Sequence, residues 1–95
     1  MIKMEKKNKI IYLVTTYKCS ACKCQEHLLK NALEDRQDIE LKICDCSEIP
    51  EWLNNKVAFL DFPTTVFIKD NIVRYTIVGT LSVSKIKSRI KDISF

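Results

Sequence analysis

The chain reads as one α/β domain: a mixed four-stranded sheet with helices on both faces, in the order β-α-β-α-β-β-α. Three observations lead there. Short β-branched runs alternate with stretches whose apolar residues recur at helical spacing, the pattern of crossover units. Two of the runs are separated only by Asp70-Asn71, a two-residue turn signal that makes them a hairpin. Finally, 46% of the 95 residues are hydrophobic, with one Gly and two Pro, enough apolar surface for a single core and too little flexibility for a linker or a disordered chain.

The elements follow in order. Residues 1–8 are polar and lysine-rich and read as a flexible lead-in to a single domain spanning 1–95. Lys9–Thr15 (Lys-Ile-Ile-Tyr-Leu-Val-Thr) is almost wholly apolar and too short for a helix, as a central strand buried on both faces should be. After Thr16-Tyr17-Lys18 comes Cys19-Ser20-Ala21-Cys22, opening a helix expected to reach about Arg36. Its apolar stripe reads as Ala21, Cys24, Leu28 and Ala32 with Leu29 and Leu33 alongside, leaving Lys23, Glu26, Lys30 and Glu34 to solvent. Cys24 falls on that stripe as a small core residue. Ile39–Asp45 alternates apolar and polar residues as a second strand, parallel to the first through a right-handed crossover. Ser47 is the expected N-cap of a short helix running to about Lys56. Thr64–Lys69, announced by Pro63, and Ile72–Val78 form the hairpin, and Gly79 breaks the second of these strands. Val83, Ile86, Ile90 and Ile93 mark a last amphipathic helix.

Composition narrows the function. Sixteen Lys+Arg against twelve Asp+Glu leave a formal charge of +4, an ordinary solubility surplus, and no aromatic ladder accompanies the lysines for nucleic acid. No apolar run approaches the roughly 18–20 residues of a membrane span, and no secretory h-region with a cleavage site is present. Five cysteines fit a disulfide-stapled secreted domain poorly, since one thiol stays unpaired. The expectation is a cytoplasmic monomer with reduced thiols, where paired cysteines do redox or metal chemistry.

Cys19 and Cys22 carry that chemistry. Two cysteines three apart at a helix start share a face with Cα atoms about 5–6 Å apart, within disulfide range. At the helix mouth, free amides and the helix dipole favour a thiolate on Cys19, and Lys18 and Lys23 add positive charge. Cys22, one turn deeper, suits the resolving role. His27, eight residues along the helix from Cys19, is too distant to be its base and reads as a surface residue. Trp52 reads as packing in the short second helix.

Over Lys9 to about Phe95 the chain resembles the thioredoxin superfamily. The resemblance rests on Cys19-Ser20-Ala21-Cys22 at the strand–helix junction, on Phe62-Pro63-Thr64, similar to the family's cis-proline loop, and on Lys69-Asp70-Asn71 leading to Val78-Gly79-Thr80-Leu81-Ser82. It implies a cis Pro63 packed against the cysteine pair, a Phe62 backbone free to bind a substrate strand, and a Gly79 bordering the peptide groove. It also implies thiol–disulfide exchange with protein disulfides, supported by a thiol reductant or reductase, with no cofactor or metal beyond the Cys19–Cys22 pair. The chain departs from thioredoxins in its Ser20-Ala21 dipeptide, in Lys18 where they have tryptophan, and in Leu13 where they have a buried aspartate. Glu26, one turn after Cys22, reads as a solvated helix charge rather than a replacement base. Architecture is nearer a glutaredoxin, yet no Gly-Gly-x-x-Asp glutathione signature follows the last strand. The alternative is a metal-binding or metal-delivery module, with Cys44 and Cys46 converging on Cys19, Cys22 and Cys24 as thiolate ligands.

Overall fold

The computed structural model describes residues 8–93; all of the expected lead-in except Asn8, the side chain of Ile93, and Phe95 lie outside the described residues. The four strands fall where the sequence places them: β1 (Lys9–Thr15), β2 (Ile39–Asp45), β3 (Thr64–Lys69) and β4 (Ile72–Val78). The helices are α1 (Ser20–Ala32), α2 (Glu51–Asn54) and α3 (Val83–Ile93), with a 3₁₀ turn at Cys46–Glu48. The sheet order is β2-β1-β3-β4. β1 runs parallel to β2 and antiparallel to β3, and β3 runs antiparallel to β4.

Central position explains the two apolar strands. β1 and β3 are covered on both faces, so alternate residues serve different cores. Ile11, Leu13 and Phe67 point toward α1 and α3, meeting Leu29, Ala32, Ile86 and Ile90. Tyr12, Val66 and Ile68 point the other way, onto Leu53 and Val57 beside α2. Full burial of each of these aliphatic or aromatic side chains contributes about 1.5–3 kcal/mol. The hairpin turn has Asp70 at φ 54° and Asn71 at φ 64°, the left-handed pair that a two-residue turn needs to match strand twist. A bulge between Phe67 and Ile68 then changes which residues of β4 face which layer. Tyr75 and Ile77 join the α1/α3 core, whereas Val73 joins the α2 core.

Three local expectations are corrected. First, α1 stops at Ala32, with Leu33 as its cap, short of Arg36. The Arg36 guanidinium turns instead to Asp38, at 2.8 and 2.9 Å, and Asp38 also takes Lys9 Nζ at 3.1 Å. That clamp ties the chain beside the start of β1, where Ile39 must pair with Lys9. Second, the buried stripe of α1 is Cys22, Gln25, Leu29 and Ala32; Ala21 and Cys24 are exposed and Leu28 only half-buried. Packing against Leu81 and α3 rotates the helix away from its most apolar face. Third, Ser47 caps nothing. Asp45 caps the 3₁₀ turn, accepting from Ser47 N at 2.9 Å, and α2 begins only after Pro50.

Candidate functional site

The cysteine pair sits where β1 gives way to α1. Lys18 takes a left-handed conformation (φ 53°) that turns the chain, and Cys19 becomes the helix N-cap in extended backbone. Its Sγ accepts the Cys22 amide at 3.0 Å, so a backbone donor already points at the sulfur expected to carry negative charge. Cys19 and Cys22 form a disulfide, with Cα atoms 5.2 Å apart. Cys19 is half-exposed, while Cys22 is 3% exposed. This asymmetry separates an outer sulfur that is open to approach from an inner one that is covered.

A hollow of about 450 Å³ opens beside the pair. Lys18 and Lys23 line it, as expected, but Glu26 and Asp45 line it too, so its charge is mixed. Glu26 stays partly exposed and pairs with Lys30 Nζ at 2.8 Å on the helix surface. Hydrogen bonds from the Ser47 hydroxyl and amide hold the Asp45 carboxyl below its ordinary pKa, so it stays ionised and is a poor proton acceptor. Leu13 is fully buried, leaving an apolar side chain where thioredoxins carry the aspartate.

The Phe62–Pro63 peptide is cis. Gly79, at φ 95°, donates its amide to the Pro63 carbonyl at 2.8 Å, joining two of the residues that the resemblance assigned to substrate binding. Both lie at the sheet end where β1 runs out, since Thr64 pairs with Val14 and with Val78. The Phe62 backbone is not wholly free, however: its amide donates to Asp61 Oδ1 at 2.9 Å. Asp61 is exposed, so the group that holds this amide is a solvated carboxylate rather than a packed one.

Sequence reasoning missed Gln25. This fully buried residue takes the Leu81 amide on Oε1 and donates Nε2 to the Leu81 carbonyl at 3.3 Å. It thereby bolts the helix that carries the cysteine pair to the loop just beyond Gly79. The available signal was a polar residue three positions after Cys22, on the same helix face.

The remaining cysteines do not gather. Cys24 is exposed, Cys44 is half-buried against the α2 core, and Cys46 donates to Thr16 Oγ1 at 3.6 Å. Burial, reinforced by Glu48 and Asp45, pushes the Cys44 thiol up. Among the described residues, no three His, Cys, Asp or Glu side chains are placed to hold a metal ion, so the converging five-thiolate arrangement does not form. His27 is exposed, as expected. Trp52 is only partly packed, edge-on to Tyr12 at a centroid distance of 6.3 Å and 40% exposed.

The sheet order, the helix layers and a cysteine pair at the first helix mouth together define a thioredoxin-like domain. Solved structures agree. Mitochondrial thioredoxin 3 from Saccharomyces cerevisiae superposes with a TM-score of 0.76 at 23% identity, covering 93% of this chain and 81% of its own. A malaria parasite thioredoxin-2, described as a component of the protein secretion machinery, gives 0.79 at 20% identity over 94% and 86%. A point-mutant thioredoxin from Halobacterium salinarum gives 0.78 at 18% identity over 94% and 77%. Identities this low establish the fold alone. No protein-family model matches the chain, and no curated protein matches it in sequence. Among the described residues no helix is long and apolar enough to cross a membrane.

Proposed function

We propose that the chain is a thiol–disulfide oxidoreductase acting on protein disulfides in the cytoplasm. The observation that carries this is the Cys19–Cys22 pair, its outer sulfur on a helix-mouth amide and its inner sulfur buried one turn deeper. In the reduced protein the Cys19 thiolate attacks a substrate disulfide. The substrate S–S bond breaks, a mixed disulfide forms on Cys19, and one substrate thiolate leaves. Cys22 then attacks Cys19 Sγ, forming the intramolecular disulfide and releasing the second substrate thiol. Two electrons and two protons pass to the substrate, and an external thiol reductant or reductase restores the dithiol. With a buried leucine at position 13 in place of an acid and Asp45 held ionised, the Cys22 proton leaves to solvent in the hollow, which makes resolution the slower step. Phe62, Pro63 and Gly79 form the edge along which an extended substrate segment lies. The exposed, unpaired Cys24 suits a reducing compartment.

The test is reduction of insulin disulfides with dithiothreitol, comparing wild type, Cys19→Ser and Cys22→Ser. Wild type accelerates reduction, Cys19→Ser does not, and Cys22→Ser accumulates a mixed disulfide on Cys19. Equal inertness of wild type and Cys19→Ser, with an ordinary alkylation rate at Cys19, ends this reading.

A further inference from the structure

Among the described residues the sheet has one open parallel edge, β2, whose register with β1 runs unbroken from Lys9↔Ile39 to Thr15↔Asp45. Edge strands are normally protected by proline, bulges or unpaired charge. This one carries no proline and no bulge, and Ile43 on it is 40% exposed. Of its three charged residues, Glu40 and Lys42 lie on one face of the strand, their charged groups 3.9 Å apart, and Asp45 sits at its end as the cap of the 3₁₀ turn.

We propose that the chain forms a two-fold dimer by antiparallel pairing of β2 with β2 of a second copy, centred on Leu41. Self-complementarity of Ile39-Glu40-Leu41-Lys42-Ile43 selects both occupant and register. Centring on Leu41 sets Glu40 opposite Lys42 of the second copy, twice over by symmetry, and covers the exposed Ile43 with Ile39 of the second copy. Centring on Glu40 or on Lys42 instead sets like charges directly opposite, and a one-residue slip turns apolar positions against charged ones. Backbone direction agrees. The Cys44 carbonyl faces β1, where it accepts Thr15 Oγ1 at 3.4 Å. By alternation, the amides and carbonyls of Ile39, Leu41 and Ile43 face away from β1. Those are the residues that exchange hydrogen bonds when Leu41 is the centre, and Glu40 with Lys42 then becomes the closer, non-hydrogen-bonded pair. A hollow of about 500 Å³ lies over the same strand, lined by Tyr12, Glu40, Lys42 and Trp52, so the only tryptophan reports on this face. The sequence offers no reason to expect more than a monomer; the open strand edge does.

The experiment is sedimentation equilibrium of the full chain under reducing conditions, in a Cys24→Ser background that prevents disulfide cross-linking. Wild type, Glu40→Lys, Lys42→Glu and the double swap are compared with an equimolar mixture of the two single variants. Both positions are about half-exposed, and far-ultraviolet circular dichroism confirms that each variant folds. Expected is a concentration-dependent dimer for wild type, with each single reversal raising Kd about tenfold or more. The double swap and the mixture recover association, because opposite charges face each other again, and Trp52 fluorescence follows the dimer fraction. A wild type monomeric up to about millimolar concentration overturns the proposal. So does a dimer indifferent to the reversals, or a mixture that fails to recover. Insulin reduction is read in parallel, and its outcome is independent of the association state.

Discussion

Replacing Gln25 by Leu removes the clamp between α1 and the loop after Gly79, and its cost can be worked from the contacts. Gln25 is fully buried and its amide satisfies both the N–H and the C=O of Leu81, itself 7% exposed. Leucine fits the volume but offers neither a donor nor an acceptor. Each buried backbone group left unmade costs about 1–3 kcal/mol. Partial access of water to Leu81 and the gain from burying an apolar side chain offset part of this, leaving a loss of about 2–3 kcal/mol. In a domain of this length 1 kcal/mol moves Tm by about 4–8 °C, so the expected fall is roughly 10–20 °C. Urea unfolding followed by Trp52 fluorescence, with thermal unfolding alongside, measures it, and amide exchange at Leu81 should accelerate with it. Gln25→Glu supplies the control. Burial raises the carboxyl pKa of the folded variant above its unfolded value, and the protonated acid can both donate to and accept from Leu81. Its destabilisation is therefore largest above the folded pKa and shrinks as pH falls through it. A Gln25→Leu cost below about 0.5 kcal/mol, the range of an ordinary surface change, would falsify the clamp, as would a pH-independent Gln25→Glu.

Other consequences are more local. Gly79→Ala meets no atom within 4 Å of the new Cβ, yet places alanine at φ 95°, so it should cost about 1–2 kcal/mol in urea unfolding through backbone strain alone. Thr65 Oγ1 is the one buried side-chain polar atom without a partner among the described residues, and Thr65→Val should raise stability by about 1 kcal/mol. Asp38 is held well below the usual carboxylate range by Arg36 and then Lys9. Its contribution is present above the unfolded pKa near ~3.9 and is lost as pH falls through the folded value. Solvent screening keeps it under about 1 kcal/mol, so Asp38→Asn should be mildly destabilising at neutral pH and silent in strong acid. Asp61→Ala releases the Phe62 amide, and on the proposed substrate-binding role it should lower KM for protein disulfides by about fivefold with kcat unchanged, the equivalent of one hydrogen bond.

What the chain declares by itself follows from short-range physics. Strand bounds are legible because β-branched runs are bracketed by residues with fixed backbone preferences, such as Pro63, Asp70-Asn71 and Gly79, and a period of two tolerates no other reading. The cysteine pair is legible because three-residue spacing at a helix start brings sulfurs together whatever surrounds them. Helix faces and ends are another matter. Ala21, Cys24 and Leu28 form the more apolar stripe, yet α1 buries Cys22 and Gln25, because Leu81 supplies hydrogen-bond partners that no local window contains. α1 ends at Ala32 because Arg36 is drawn to Asp38, which is itself tied to Lys9, 29 residues away along the chain. Ser47 loses its capping role to Asp45 for want of a helix to cap. Hydrophobic periodicity states how much a helix will bury. Only the packed neighbours choose which side, since a few long-range polar contacts outweigh a methyl group or two of helical amphipathicity.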